Sequence, residues 1–145
     1  MGAPDTTHYD LVIIGGGLAG ASLAVALKHQ LAAVQASGRS SHELSEPYRI
    51  AVVEAFAPDD GQQPSYDDRS IALSWGSRLI YQHIGVWSAI APHAEPIETI
   101  HISDRGHFGV TRLTAEQEGV EALGYVVENR PVGMALFREM SEGDE

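Results

Sequence analysis

Apolar and polar positions in the first third of the chain follow two different spacings. Leu11–Ile14 form an uninterrupted apolar run, and the stretch from Leu18 onward is free of proline and rich in small and apolar residues. The run predicts a strand over residues 9–15, and the stretch predicts a helix over 18–32. A second apolar run predicts a strand over 48–54. Strand, helix and strand in this order predict a βαβ unit and an α/β fold.

The helical period also predicts two apolar helix faces. On the first helix, Leu23 and Leu27 share a face with Ala24. After a polar loop over 55–68, a short helix is predicted over 77–84 with these residues on its apolar face: Leu79, Ile80, His83 and Ile84, continued by Trp87. A histidine on such a face is more often a core residue than a ligand, and we expect this of His83.

After Pro92 the pattern changes to an alternation of apolar and polar residues. It predicts a strand over 97–102 and another over 110–113, joined as a hairpin through a glycine-containing turn. A further short apolar run covers 123–127, and a helix is predicted over 131–140. The last helix carries Val132, Leu136 and Met140 on one side.

The turn between the first strand and its helix contains the pattern G-x-G-x-x-G. Gly15 permits a tight turn, Gly17 lets a phosphate approach the backbone, and Gly20 lets the helix pack closely on the strand. The N–H groups that open the helix, from Leu18 and Ala19 to Gly20, then point at an anion, aided by the helix dipole. The motif at this position predicts a site for the pyrophosphate of a dinucleotide. The alternative is a glycine-rich turn that binds nothing.

Glu54 ends the predicted second strand, where dinucleotide-binding folds place an acid on the adenosine ribose. It follows Gly20 by 34 positions (54 − 20), more than the typical ~20. The excess lies in a polar, serine-rich loop that is predicted to be an insertion. An acid here suits NAD and FAD equally, so it does not choose between them.

The charge and composition of the chain exclude several classes of binding partner and site. The 145 residues suffice for about one domain, and the net charge of −11 argues against nucleic acid and anionic membrane surfaces as partners. The absence of cysteine excludes disulfides, thiolate nucleophiles and cysteine-ligated zinc. The seven histidines form neither H-x-x-x-H nor H-E-x-x-H, so no metal site is expected. The first ten residues lack the pattern of a leader, and we expect a cytoplasmic protein.

Several segments together resemble the flavin-dependent aromatic hydroxylases of the para-hydroxybenzoate hydroxylase type. They are the glycine motif, the acid-ended strand, Asp67–Ser74 (DDRSIALS) and Ile84–Trp87 (IGVW). The stretch Ser103–Gly109 (SDRGHFG), followed by LGYVVEN, is similar to the ubiquinone-biosynthesis branch, the UbiH-like 2-polyprenyl-6-methoxyphenol hydroxylases. The loop over 31–47 is longer than is usual in the family. The family's downstream Gly-Asp motif has no match here, so an N-terminal fragment is expected.

The resemblance implies a division of the chain and a reaction. Residues 1–95 would be the N-terminal part of a Rossmann-like FAD-binding domain, 96–127 a hairpin and strand of an inserted β-sheet substrate domain, and 128–145 a return helix with a frayed acidic tail. The family hydroxylates aromatic rings with NAD(P)H, O₂ and FAD, through a flavin C4a-hydroperoxide. The implied substrate is a polyprenylated phenol, and its lipid character would bring the protein to the periphery of the inner membrane.

The resemblance also implies roles for single residues. Arg69 matches a family arginine close to the flavin and its pyrophosphate, and a guanidinium suits phosphate. The alternative for Arg69 is a surface ion pair with Asp67 or Asp68, worth ~0–1 kcal/mol. Asn129 and Arg130 match a family position near the cofactor.

Two further residues, Arg105 and His107, mark the ubiquinone-biosynthesis branch. We expect them to shape the hairpin turn around Gly106 rather than to act in catalysis. No catalytic residue is assigned, since the cofactor carries the difficult chemistry in such enzymes.

Two other functions stay open. The chain could be a non-catalytic dinucleotide-binding module of a biosynthetic complex, or an NAD(P)-dependent reductase. The reductase would need a Tyr-x-x-x-Lys pair or a comparable acid–base pair downstream, and Lys28 is the only lysine in the chain. For the fragment, we expect no hydroxylation by itself and self-association through its unpaired strands.

Overall fold

The structure, a computed structural model, describes residues 8–37, 48–56, 67–104, 106 and 108–142. Within these residues the strands are β1 (Leu11–Ile14), β2 (Ile50–Val53), β3 (Ser70–Ser74), β4 (Glu95–Ile97), β5 (Thr99–Ser103), β6 (Val110–Thr114) and β7 (Gly124–Glu128). The helices are α1 (Leu18–Ala36), α2 (Trp75–His83), α3 (Trp87–Ile90), α4 (Ala115–Glu118) and α5 (Asn129–Ser141).

The predicted βαβ unit is confirmed. Strands β1 and β2 are parallel neighbours, paired from Leu11 with Ile50 to Ile14 with Val53, and α1 connects them. Helix α1 runs to Ala36, beyond the predicted end at residue 32, because alanine and glutamine favour helix there.

The buried face of α1 agrees with the predicted one at Ala24 but not at Leu23. Its buried residues are Ala21, Ala24 and Val25, whereas Leu23 is half exposed. Helix α1 packs against α5 and β1, and small side chains allow that close approach. The prediction for Leu23 was wrong because sequence periodicity alone does not say which stripe meets a neighbour.

A second sheet has β7 in its centre, antiparallel to β3 on one side and β4 on the other. The main apolar core lies between this sheet and the helices α1, α2, α3 and α5. The fully buried side chains of that core with the largest volumes are Ile90, Leu136, Val25, Val127 and Val132. Val132 and Leu136 confirm the predicted face of the last helix.

An aromatic cluster lies beside this core. Trp87 meets Tyr125 edge to face at 4.9 Å between ring centroids, and Trp75 stacks on Tyr125 at 6.5 Å. The Arg78 guanidinium carbon lies 4.8 Å from the Trp75 ring centroid and 5.6 Å from that of Trp87. Arg78 therefore joins α2 and α3 through cation–π contacts, and the two tryptophans connect both helices to Tyr125 of β7.

The predicted face of the short helix is wrong in part. Ile84 is buried, but Leu79 and Ile80 are exposed, and His83 is exposed as well rather than a core histidine. The residue of α2 that enters the core is Tyr81, whose hydroxyl lies 3.2 Å from Ser22 Oγ on α1.

Residues 97–102 do not form the single strand that alternation predicts. The chain divides them between β4, which pairs with β7, and β5, which pairs with β6. The β5–β6 hairpin itself is confirmed, with Ile100 opposite Leu113. Gly106 has a φ of +88°, which agrees with a turn that needs glycine. Arg105 and His107 lie outside the described residues.

Strand β7 belongs to the sheet of β3 and not to the hairpin with which the proposed division at residues 96–127 groups it. That division remains a prediction.

The only lysine of the chain connects two helices. Lys28 Nζ on α1 donates to the backbone carbonyls of Glu139 and Glu142 at the end of α5, a position where a cation satisfies unpaired carbonyls. Among the described residues, no helix has the length and apolarity needed to cross a bilayer.

Candidate functional site

The glycine motif forms the turn from β1 into α1, as predicted. Gly15 has a φ of +99°, which side-chain-bearing residues rarely adopt, and its N–H donates to the carbonyl of Val53 at 2.8 Å. A Cβ on Gly20 would lie 1.9 Å from the carbonyl oxygen of Gly15 and 3.3 Å from Cγ2 of Ile13. The third glycine is therefore required for the contact of helix and strand.

The first turn of α1 is open to an anion. Gly17 is the residue before the helix, with extended backbone angles (φ −65°, ψ −178°), and no side chain in the described part of the chain caps this end. The first turn carries no acidic residue. The N–H groups of Leu18, Ala19 and Gly20 open a 19-residue helix, whose positive dipole end favours negative charge.

Glu54 lies directly after β2 and faces the glycine turn. Its Oε2 accepts from the backbone N–H of Gly16 at 2.6 Å, and its Oε1 accepts from the N–H of Ala55 at 2.7 Å. The predicted ribose acid is thus held beside the predicted anion site. Its contact with a ribose stays a prediction.

A cleft of about 410 Å³ opens beside the first turn of α1. Its walls come from α1, from the chain entering β3 and from the start of α5. The lining residues are Leu18, Arg69, Ser70, Ile71 and Asn129. Three residues predicted as cofactor contacts, Leu18, Arg69 and Asn129, therefore meet at one place although they are far apart in sequence.

Asp67 ties the walls of this cleft together. Its Oδ1 accepts from Nδ2 of Asn129 at 3.0 Å and from the N–H of Arg69 at 3.2 Å, and its Oδ2 pairs with Nε of Arg69. Desolvation raises the pKa of Asp67, but the hydrogen bonds from Asn129 and Arg69 and the charge of Arg69 outweigh it and lower the pKa below its ordinary value. The ion pair considered for Arg69 exists, and Arg69 lines the cleft as well.

Asn129 is the buried polar residue of the site, with 7% of its surface exposed. Its N–H donates to the carbonyl of Arg69 at 2.9 Å. Its Oδ1 is buried, and no partner for it exists among the described residues. An unpaired buried acceptor is unfavourable by about 1–3 kcal/mol, so the oxygen requires a donor.

The side chain of Arg130 pairs with Asp68, whereas that of Arg69 pairs with Asp67. The Nε of Arg130 pairs with Oδ1 of Asp68 at 3.1 Å, and the Arg130 N–H donates to the carbonyl of Asp67 at 3.1 Å. The predicted cofactor role of Arg130 stays a prediction. The sequence suggests Asp67 only as an ion-pair partner of Arg69; the one signal for its place in the cleft is the Asp-Asp-Arg run, because its bond to Asn129 spans 62 residues.

No group of three His, Asp or Glu side chains capable of holding a metal ion occurs among the residues with described positions. The site therefore consists of backbone N–H groups, one carboxylate beside them, and an arginine and an amide in the adjoining cleft.

No protein-family model matches the chain. Two curated relatives are a ubiquinone hydroxylase, UbiL, from Rhodospirillum rubrum, 27% identical over 136 residues, and a ubiquinone hydroxylase, UbiM, from Neisseria meningitidis, 29% identical over 143 residues. A third is the mitochondrial ubiquinone biosynthesis monooxygenase COQ6 of Xenopus tropicalis, 25% identical over 133 residues. The chain is related to the ubiquinone-biosynthesis monooxygenases. The matches cover 90%, 94% and 91% of this chain but only 27%, 27% and 26% of the relatives, so it spans about a quarter of their length.

The fold agrees with this relationship. The flavin-dependent monooxygenase PieE, solved in complex with FAD and substrate, superposes with a TM-score of 0.61 at 17% identity, over 97% of this chain and 23% of its own. HpxO of Klebsiella pneumoniae, solved with FAD, gives a TM-score of 0.55 at 18% identity, over 90% of this chain and 29% of its own. The predicted fold class and the predicted resemblance are confirmed.

The groups of FAD can be matched one by one to groups of the site. A pyrophosphate needs N–H donors and positive charge, which the start of α1 and Arg69 provide. The ribityl and ribose groups carry hydroxyl donors, which suit the carboxylate of Glu54 and the unpaired oxygen of Asn129. The residues present therefore fit this cofactor.

Proposed function

We propose that this chain is part of the FAD-binding domain of a monooxygenase that hydroxylates the aromatic ring of a polyprenylated phenol in ubiquinone biosynthesis. The observation that carries the proposal is the convergence of the start of α1, Glu54 and a cleft holding Arg69 and Asn129 around one glycine turn. The similarity to two ubiquinone hydroxylases and the fold shared with a flavin-dependent monooxygenase support the same class of enzyme.

The roles of the residues follow from their chemistry. The N–H groups of Leu18, Ala19 and Gly20 would bind the pyrophosphate, with Gly15 and Gly17 keeping the approach open. Glu54 would accept hydrogen bonds from the adenosine ribose. Arg69 would add a positive charge beside the phosphates.

When bound, FAD would supply the redox chemistry between NAD(P)H and O₂. The described residues contribute binding and orientation, and the aromatic substrate, the co-substrates and any biosynthetic complex belong to the proposal for the whole protein. A cytoplasmic location with peripheral attachment to the inner membrane, through a lipid substrate, belongs to the same proposal.

The test is a titration of the 145-residue chain with FAD, NADH and NADPH, followed by flavin or nicotinamide fluorescence. We expect FAD to bind and Gly17→Val to abolish that binding, because a branched side chain would occupy the place of the phosphate. The extended backbone of Gly17 tolerates valine, so thermal unfolding should show a folded variant.

Gly76→Ala is the control, since a Cβ there meets nothing closer than Ser74 Oγ at 3.7 Å. It should bind FAD like the wild type. Binding of NADH or NADPH without FAD would contradict the proposal and favour the reductase.

A further inference from the structure

Asp67 was not among the predicted cofactor contacts, yet it contacts two of them. One carboxylate bonds both the Asn129 amide and the Arg69 guanidinium. Its backbone carbonyl also accepts from Arg130. A residue with this many contacts to two walls of a cleft determines how the side chains of those walls are presented.

The chemistry of the carboxylate fixes the orientation of the amide. An ionised aspartate only accepts hydrogen bonds, so Asn129 must turn its Nδ2 toward Asp67. The amide oxygen then becomes the group without a partner, and it is buried in a residue that lines the cleft. With a hydroxyl or amide in place of Asp67, the Asn129 amide could turn over and this preference would be lost.

The same carboxylate restrains Arg69, whose side chain is 74% exposed. A guanidinium carries five N–H donors, and pairing through Nε leaves the two terminal NH₂ groups without a partner in the described part of the chain. Without Asp67, a long exposed side chain would lose this orientation.

We infer that Asp67 is a positioning residue of the cleft: it presents the Asn129 oxygen as an acceptor and the Arg69 guanidinium as a cation to one ligand. The ligand chemistry that satisfies both is a hydroxyl donor beside a phosphate, as in the ribityl diphosphate portion of FAD. This inference rests on the proposed function.

Asn129 is the only asparagine in the chain, which gives a readout that needs no ligand. Labelling with ¹⁵N-asparagine yields one side-chain amide signal in the NMR spectrum of the 145-residue chain. We expect Asp67→Ala to move one Nδ2 proton of this signal upfield, because its bond to a carboxylate is lost. Asp68→Ala removes the same charge from the neighbouring position and should leave the signal in place.

FAD titration of the same variants gives the second readout. Asp67→Ala should weaken FAD binding about tenfold, and Asp68→Ala less than about twofold. Thermal unfolding identifies any variant that fails to fold. If Asp67→Ala does so, Asp67→Asn replaces it, with the expected loss smaller than tenfold but larger than that of Asp68→Asn.

The outcomes separate the two proposals. An amide signal that does not move in the folded Asp67 variant overturns the inference, whether or not FAD binds. A moved signal with equal FAD affinity in the Asp67 and Asp68 variants overturns it as well, while the FAD site stands. If the wild-type chain binds no FAD, the proposed function fails, and the cofactor role of Asp67 with it.

Discussion

The carboxylate of Glu54 accepts a 2.6 Å hydrogen bond from the backbone N–H of Gly16, 38 residues earlier in the chain. The bond ties the end of β2 to the glycine turn that follows β1. It places a negative side chain at the edge of a site whose helix dipole attracts anions. That arrangement suits a ligand that offers hydroxyl donors next to a phosphate.

Replacing Glu54 by glutamine should weaken FAD binding by about tenfold, since a hydrogen bond to a charged group contributes about 1.5–3 kcal/mol. Glutamine keeps the size of the side chain but loses the charge and one acceptor. Glu116→Gln, on the exposed helix α4, is the control and should bind FAD like the wild type. Equal losses in both variants, measured by flavin fluorescence, would remove the ribose assignment.

Gly20→Ala should lower the free energy of unfolding by about 1–3 kcal/mol, the usual effect of overpacking. The added Cβ would lie 1.9 Å from the Gly15 carbonyl oxygen, which is backbone and can move little. Gly76→Ala, in helix α2 with room for a Cβ, should instead be neutral or stabilising by up to about 1 kcal/mol. Urea unfolding measures both, and a Gly20→Ala variant as stable as Gly76→Ala would contradict the close contact.

The elements that could be predicted from sequence are those whose signal is local. The glycine motif lies between an apolar run and a helical stretch, so β1, α1 and β2 followed from neighbouring residues. The division of 97–102 into two strands did not, because Ile97 and Thr99 choose partners on different sheets, Gly124 and Thr114. Pairing of that kind depends on residues remote in the sequence.

Prediction of the candidate site from the sequence is limited in the same way. Glycines and Glu54 carry recognisable positions, whereas the bond of Asp67 to Asn129 spans 62 residues and leaves no periodic trace. The wrong prediction that His83 is buried has a related cause. A 3.6-residue pattern gives the members of a stripe, but the packing of Tyr81 against the core decides which stripe is buried.

Arg78→Lys should lower the free energy of unfolding by about 1–2 kcal/mol, the range for a desolvated cation–π contact. The guanidinium is 15% exposed and lies on both Trp75 and Trp87, and an ammonium cannot stack on two rings in this way. Arg138→Lys is the control, since its side chain is 80% exposed in a surface pair with Glu142. Tryptophan fluorescence during urea unfolding reports both, and identical midpoints would refute a role for the cluster.

The lowered pKa of Asp67 predicts a dependence of stability on pH. The native state releases this proton more readily than the unfolded chain, whose ordinary value is 3.8. The carboxylate therefore stabilises the fold above that pH, and the contribution is lost as the pH falls through the lower native value. We expect the melting temperatures of the wild type and of Asp67→Asn to differ most between about pH 5 and 7 and to approach each other as the pH falls from 3.8 through the lower native pKa. A constant difference across this range would contradict the interpretation.

The β5–β6 hairpin predicts self-association of the 145-residue chain. Ile100, Ile102 and Leu113 lie on one face by register, and Ile102 is 54% exposed. Apolar ribbons with unpaired edges tend to pair with other chains. Ile102→Lys should shift the chain toward the monomer in light scattering, with little loss of stability because the side chain is already exposed. Thr99→Lys, on the opposite face, should leave the association unchanged. A wild-type monomer at high concentration, or equal effects of both variants, would show that this face does not mediate contacts between copies.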